Sequence, residues 1–466
     1  MRVLFASSEV YPFSKTGGLA DVAGALPQAL AGLGHEVLVL SPWYRTLVAD
    51  PAPLWIGDVE VPFENSRSLC GVGTLERDGV RYAFVGHEDF RREQLYGYPD
   101  DVRRFARFTR ALPQVAARLG FVPDVAHVHD WHSAYLPMLL ERGWHLPEGF
   151  PGLPSILTVH NVQYQGVSGL DETLYWLQLP EELRQGPMNH AGSANALQAG
   201  VAFARAVTTV SPSYAREIQI PAYGYGLDGV FRKNAGKLSG ILNGLDTDVW
   251  NPTSDPALVE RYGVDTLECK GAGKRSVCQR FGLAPERPLL GVVSRLAEQK
   301  GIDLLLAAAA RLFDMGWSIF MLGSGEQQLE EQVRQLAANR PDRAVAVVGY
   351  DETLAHLLYA AADALAVPSR FEPCGLSQMI AMRYGTLPVA RATGGLKDTI
   401  RPGHTGFLFG PMSAEALLGA CEEARIVYGD EGRWRAMMQE AMRQDFSWDR
   451  SAQAYDGLYR QTGRTR

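Results

Sequence analysis

Two short segments carry the side chains best suited to handle a leaving phosphate. Ser294-Arg295-Leu296-Ala297-Glu298-Gln299-Lys300-Gly301 follows an apolar run and opens a helical pattern, so Arg295 and Lys300 fall where a strand gives way to a helix. Ligands of α/β proteins bind at that edge of the sheet. An Arg fork beside a Lys point charge would clamp a diphosphate and offset the charge that develops on it as it departs; a solvated surface pair is the plainer alternative. Pro368-Ser369-Arg370-Phe371-Glu372-Pro373-Cys374-Gly375-Leu376 likewise joins an apolar run to a helix. Glu372 is its acidic candidate, unless it merely caps the helix or pairs with a cation. Cys374 reads equally as a small packed thiol. The backbone amides of Leu376 and Ser377, in the first helical turn, suit an anion whatever their side chains are.

Histidines form a second group. His127-Val128-His129-Asp130-Trp131-His132 places alternate imidazoles on one face of a strand, which invites a metal reading. Further ligands at suitable spacing are lacking, and a substrate pocket at the strand's carboxyl end is the simpler expectation. His160-Asn161, at the end of another apolar run, supplies the better catalytic or binding histidine, with a satisfied core histidine as the alternative. Asp246-Thr247-Asp248 matches the D-x-D of metal-dependent glycosyltransferases, but its place after Asn243-Gly244 reads more naturally as turn chemistry. Gly323-Ser324-Gly325 leaves a dinucleotide fingerprint incomplete, and no P-loop lysine follows it. Neither a nicotinamide enzyme nor a P-loop NTPase is supported, and no metal or other cofactor is expected.

The elements that must position these groups are legible from period and punctuation. Residues 2 to 6 read as a buried strand, 19 to 33 as a helix ending at Gly34, and 36 to 41 as the next strand, with a kink or break expected near residue 26 because Pro27 lies inside the helix. Strands are expected at 82–86, 124–129, 155–160, 206–211 and 238–243. Short apolar strands alternating with helices imply a parallel sheet covered on both faces. Periodicity fails between about 244 and 287, where Pro and Gly accumulate, and the inter-domain connection is placed there. Alternation then resumes, with strands at 289–294, 317–322, 344–348, 364–367 and 387–390 and helices at about 301–313, 326–338, 352–361 and 375–384: a second doubly wound domain. Aromatic residues at Phe446, Trp448, Tyr455 and Tyr459 predict a final helix packed on something. T-G-G-L-x-D occurs twice, at 16–21 and 393–398. If both copies open helices, each domain offers unpaired amides to an oxygen ligand, and sheets facing across a cleft would bring both to one molecule.

Composition narrows the function classes. The chain has 466 residues, 46% of them hydrophobic and 21% charged, which excludes a disordered or fibrous protein and provides for more than one core. A net charge of −7 gives no overall positive field, so nucleic acid is not an expected partner. Five scattered cysteines without a C-x-x-C pair read as reduced thiols. With no signal-peptide core and no long uncharged apolar stretch, a cytoplasmic protein without a membrane partner is expected. Only seven of the 45 basic residues are Lys, so a retained Lys is enriched for sites that need a compact ammonium. Lys15, Lys300 and Lys397 sit in motifs, whereas Lys233, Lys237, Lys270 and Lys274 fit chance survival on the surface better.

Taken together, Lys15-Thr16-Gly17-Gly18-Leu19, His129-Asp130-Trp131-His132, Thr158-Val159-His160-Asn161, Thr209-Val210-Ser211-Pro212, Asn243-Gly244-Leu245-Asp246, Ser294-Arg295-Leu296 with Lys300-Gly301, and Glu372-Pro373-Cys374-Gly375-Leu376 make the chain resemble, over nearly its full length, bacterial glycogen synthases and plant starch synthases. The resemblance implies the GT-B architecture: two Rossmann-like doubly wound parallel-sheet domains facing across a cleft. It divides the chain into an amino-terminal domain at 1–245, a nucleotide-sugar domain at 246–445, and a carboxyl-terminal helix at 446–466 that crosses back to the first. It implies transfer of glucose from ADP-glucose to the non-reducing end of glycogen or another α-1,4-glucan, with retention. Carried over by position, Lys15, Gly18 and Asp21 belong to the loop that meets the donor. Arg295 and Lys300 bind the diphosphate beside the amides of Leu376 and Ser377, within the turn at Gly375. Glu372, Cys374, His160 and Asn243 hold the glucosyl group, Tyr350 stacks on adenine, and Asp130 lines the pocket that admits the acceptor. Glu372, His160, Arg295 and Lys300 are the expected catalytic residues. The absence of a clear second carboxylate suits departure and attack on one face of the sugar better than a glycosidase-like covalent intermediate. A retaining transferase using UDP-glucose or another nucleotide sugar, or a catalytically silent α-glucan-binding protein, remains the alternative.

Overall fold

The alternation of apolar runs and helical patterns builds two separate sheets in the computed structural model, which describes residues 1–464. One compact unit comprises Met1–Gly244 together with the segment from Trp448 onward, and the other Leu245–Ser447. In the first unit the strand order is Leu238–Gly240, Ala206–Thr209, Ser155–Val159, Val125–His129, Arg2–Ala6, Glu36–Pro42, Val80–Gly86, Ser66–Arg77, Leu54–Phe63. The first seven of these are parallel. From Arg2–Ala6 the chain adds strands on one side and then, from Val125–His129, on the other. Crossovers therefore diverge beyond the carboxyl ends of these two strands, leaving a crevice for the loops that follow them.

The second unit repeats the plan with six parallel strands: Ala344–Val348, Ser318–Gly323, Leu289–Val293, Ala364–Val367, Leu387–Arg391, Phe407–Phe409. Its reversal lies between Leu289–Val293 and Ala364–Val367. Helices Ile302–Asp314, Gln327–Asn339, Glu352–Ala361 and Ser377–Arg383 arise within a residue or two of the expected bounds. Both T-G-G-L-x-D copies open helices, at Gly18–Gly32 and Gly394–Thr399. The final helix, Trp448–Thr462, buries Tyr455 and Tyr459 and packs against Gly18–Gly32.

Four expectations are corrected. Of the kink or break predicted near residue 26, the break does not occur: the helix Gly18–Gly32 runs continuously through Pro27. Its face of Leu19, Val22, Ala23, Leu26 and Leu30 is buried, and that packing outweighs one lost backbone bond. The first sheet is not purely parallel, because Leu54–Phe63 and Ser66–Arg77 form an antiparallel hairpin at its edge. Glu64 and Asn65 both take φ 53° in its turn, as a two-residue loop matched to strand twist requires. The stretch 244–287 is not all connection, since Lys270–Phe281 is a helix within the second unit.

Lys270 and Lys274, assigned to the surface, are buried, and their burial explains why that helix escaped notice. Its inward positions are Lys270, Lys274, Val277 and Cys278, a helical spacing occupied half by cations. Lys270 Nζ donates to the carbonyl of Ala360 at 2.7 Å and to Thr386 Oγ1 at 2.8 Å. The Ala360 carbonyl lies in the last turn of helix Glu352–Ala361, where carbonyls lack intrahelical donors. Lys274 pairs with Asp363 at 2.7 Å, and Asp363 also accepts from the Leu289 amide. Lys274→Ala would leave a buried carboxylate without its cation, a loss of about 3 kcal/mol. The expected outcome is a lowered urea midpoint at unchanged slope, and a loss well under ~1 kcal/mol would show that water compensates Asp363.

Candidate active site

In the first unit the polar groups gather at the carboxyl ends of the strands flanking the reversal. Directly after Arg2–Ala6 comes Glu9, 3% exposed, whose carboxylate accepts from the Thr16 amide at 2.5 Å and the Thr16 hydroxyl at 2.9 Å. Glu9 thus clasps the K-T-G-G-L loop from beneath. Lys15, exposed, pairs with Asp21 of the first helical turn at 2.6 Å. A Cβ at Gly18 would meet nothing within 4 Å, so backbone there is open to close approach. A cavity of about 580 Å³ opens beside the loop, lined in part by Phe13, Lys15, Thr46, Gln94 and Tyr96.

After Val125–His129, Asp130 takes φ 53° and turns its carboxylate back onto the neighbouring strand end, where Oδ1 accepts from the His160 amide at 2.7 Å. Burial pushes the Asp130 carboxyl up to about 7 against the amides of His160 and Asn161, and the charge of Glu9 adds to the rise. Burial likewise raises Glu9 to about 7 against the hydrogen bonds from Thr16. Two carboxyls that change protonation near neutrality therefore flank one crevice. His160 stands at the end of Ser155–Val159, its Nε2 2.9 Å from His129 Nδ1. Burial pulls it down to about 3, so its imidazole is neutral. His127 is a core residue, held between Tyr459 and Thr158. Asn243 is 9% exposed, with Oδ1 unpartnered among the described residues.

In the second unit the two segments singled out first meet across the sheet reversal. Lys300 Nζ lies 2.6 Å from Glu372 Oε2, which also accepts from the Ser369 hydroxyl at 2.9 Å. Arg295 is exposed and donates to Gln299 Oε1 at 3.1 Å. In the ion pair, Glu372 is buried while Lys300 keeps some exposure. The glycines of the second T-G-G-L make this turn possible. A Cβ at Gly394 would lie 1.9 Å from the Glu372 carbonyl, and one at Gly395 2.1 Å from the Cys374 carbonyl. Cys374 is buried, Gly375 takes φ 76°, and Leu376 and Ser377 begin the helix that follows. Tyr350, after Ala344–Val348, is 80% exposed.

The remaining motifs have structural roles. Asp246 Oδ1 accepts from the amides of Asp248 and Val249 at 3.0 Å, the turn chemistry anticipated for D-x-D. Gly323 packs on the Ser294 carbonyl, which a Cβ would approach to 1.8 Å. Among the described residues no group of three or more His, Cys, Asp or Glu side chains is arranged to hold a metal ion, and no helix is long and apolar enough to cross a membrane. Sequence reasoning missed Glu9, His129 in its pairing with His160, and Ser369. The available signal for Glu9 was position, a polar residue just past the carboxyl end of the first strand.

Residues 2–233 match the family model for the starch synthase catalytic domain, and residues 275–426 match glycosyl transferases group 1. A glycogen synthase of Deinococcus deserti is 47% identical over 463 residues, covering 98% of this chain and 99% of its own. A glycogen synthase of Thermus thermophilus is 43% identical over 466 residues, covering 99% of each. Among solved structures, the catalytic domain of Starch Synthase IV from Arabidopsis thaliana, bound to ADP and acarbose, has a TM-score of 0.90 at 34% identity and covers 99% of both chains. Two doubly wound sheets of GT-B type and likeness across nearly the whole of both chains place this protein in the glycogen synthase family of glycosyltransferases.

Proposed function

We propose that the chain transfers glucose from ADP-glucose to the non-reducing 4-hydroxyl of glycogen or another α-1,4-glucan, with retention of configuration, in the cytoplasm. The observation that carries this reading is the Lys300–Glu372 pair, with Ser369 behind it, at the carboxyl edge of the second sheet beside Arg295. A diphosphate at this edge meets Lys300, Arg295 and the amides of Leu376 and Ser377. The charge it gains on leaving is then offset by groups already in place. Glu372, freed from its cation as the phosphate takes over Lys300, accepts hydroxyls of the glucosyl group together with Cys374 and Gly375. Tyr350 offers its exposed ring to adenine.

Groups of the first unit complete the assignment. Lys15, Gly18 and Asp21 meet the donor through the loop that Glu9 clasps, His160 and Asn243 hold the glucosyl group, and Asp130 lines the acceptor pocket. The ADP and acarbose bound to Starch Synthase IV, a nucleotide and an oligosaccharide, support both halves of the reading. The test is extension of glycogen by the purified chain with ADP-glucose and with UDP-glucose in parallel. Preference for ADP-glucose is expected. Equal use of UDP-glucose would overturn the donor assignment, and glucan binding without extension would overturn the reaction.

Arg295→Ala should lower turnover on the order of a hundredfold, about 3 kcal/mol of transition-state stabilisation, while glucan binding stays near normal. Because Arg295 is exposed and pairs only weakly, folding is not expected to suffer, and near-normal turnover would remove it from the diphosphate clamp. A second prediction concerns the two carboxyls in the first unit. Glu9→Gln removes a negative charge that raises Asp130, so the Asp130 titration, followed by carboxyl ¹³C NMR, should move to lower pH. A shift upward, or none, would show that the two carboxyls are not electrostatically coupled.

A further inference from the structure

His129 takes no part in the assignments above, yet its contacts bear on the histidine that does. Its ring is fully buried, flanked by Phe5 at 4.2 Å and His127 at 4.1 Å between ring centroids. Nδ1 lies 2.9 Å from His160 Nε2. Nε2 has no partner among the described residues. His127 cannot supply one, because its own nitrogens are committed to Tyr459 at 2.7 Å and Thr158 at 2.6 Å. Burial keeps His129 and His160 far below the usual imidazole range, so both are neutral and each carries a single proton.

Those facts leave two arrangements. One proton must sit between His129 Nδ1 and His160 Nε2, because two lone pairs or two N–H groups at that distance would repel. If His160 supplies it, His160 Nδ1 is a bare acceptor and the proton of His129 sits on Nε2, an N–H buried among rings with nothing to receive it. If His129 supplies it, His129 Nε2 is a bare lone pair, and the proton of His160 moves to Nδ1. Orphaned buried N–H groups are rarer than under-satisfied acceptors, which favours the second arrangement. We infer that His129 is a positioning residue that fixes His160 as its Nδ1–H tautomer, so that His160 meets the substrate as a hydrogen-bond donor.

The backbone fixes where the His160 ring stands. Asp130 Oδ1 holds the His160 amide while its own amide donates to the Thr158 carbonyl at 2.9 Å, so His160 is fixed at its main chain by one residue and at its ring by the one before it. The free ring nitrogen, Nδ1, makes no hydrogen bond among the described residues, and the ring keeps some exposure. Its ligand is thus an oxygen able to accept: a sugar hydroxyl, or one bearing negative charge as transfer proceeds. This rests on the proposal that His160 touches the glucosyl group, and the same experiment separates the two.

Histidine ¹⁵N NMR on the intact chain should show His160 protonated at Nδ1 and bare at Nε2; the opposite tautomer would overturn the inference. His129→Leu should lower kcat on the order of 10- to 100-fold with the donor KM little changed, since the lost interaction orients a group that acts mainly in the transition state. His129→Asn, which returns an amide N–H near the place of Nδ1, should recover most of the loss in folded protein. Failure of Asn to recover anything, or unaltered kcat in His129→Leu, counts against His129. His160→Ala is the control: if it turns over normally, the role of His160 itself fails, whereas a damaged His160→Ala beside a healthy His129→Leu removes His129 alone.

Discussion

Glu9 and Asp130 in one unit, and Lys300 and Glu372 in the other, are placed by one constraint, the reversal of crossover direction in a parallel sheet. A right-handed crossover carries the chain to one side of the central strand, and a later one carries it to the other. At the seam the following loops part, leaving backbone and side chains that no helix covers. In the first unit the seam lies between Arg2–Ala6 and Val125–His129, and Glu9 and Asp130 emerge there. In the second it lies between Leu289–Val293 and Ala364–Val367, where Lys300 and Glu372 face each other at 2.6 Å. The same topology occurs twice and yields two chemically different edges.

The difference is electrostatic. At the first edge burial is only partly offset by hydrogen bonds, and the carboxyls of Glu9 and Asp130 rise to about 7 while the imidazoles of His129 and His160 stay neutral. Such a surface is poised to exchange hydrogen bonds with hydroxyls instead of binding a strong charge. At the second edge a cation and a carboxylate neutralise each other, with Arg295 exposed beside them. An anion arriving there would compete with Glu372 for a cation that the fold already holds in place. The two edges thus differ in the groups they offer a ligand: neutral imidazoles and carboxyls that titrate near neutrality on one, a cation paired with a carboxylate on the other.

Packing and chemistry share residues in places that would not be guessed from either alone. Lys274 and Asp363 form a buried pair far from any proposed substrate contact, and Lys270 closes the end of a helix. Tyr459, from the final helix, holds His127, whose ring packs on His129. The C-terminal helix is therefore part of the first unit's polar core and not an appendage to it. Gly394 and Gly395 serve a similar double purpose: they end one strand–helix connection by pressing against the backbone of another, at Glu372 and Cys374.

What the amino-acid sequence determined by itself was whatever depends on local period and punctuation. Two-sided apolar runs became parallel strands, strand-to-helix junctions became the edges where Arg295, Lys300, Glu372 and Asp130 stand, and the six-residue repeat opened two helices. Those features are visible because burial on both faces removes polar residues from a strand, and because a helix start needs particular residues. The tertiary structure alone decided whatever depends on partners remote in sequence. Half of the inward face of Lys270–Phe281 is Lys, which hides its period until the carbonyl of Ala360 and the carboxylate of Asp363 are brought to it. In the edge hairpin at 54–77 the first strand ends in the alternation D-V-E-V-P-F and the second carries Gly71 and Gly73 among its buried residues, so neither shows a continuous apolar run. Glu9 became a clasp only because the fold returns Thr16 to it, and His129 gained influence over His160 only because parallel pairing sets the two strand ends side by side. A side chain's type can be read from the chain, but its protonation and its direction follow from what surrounds it.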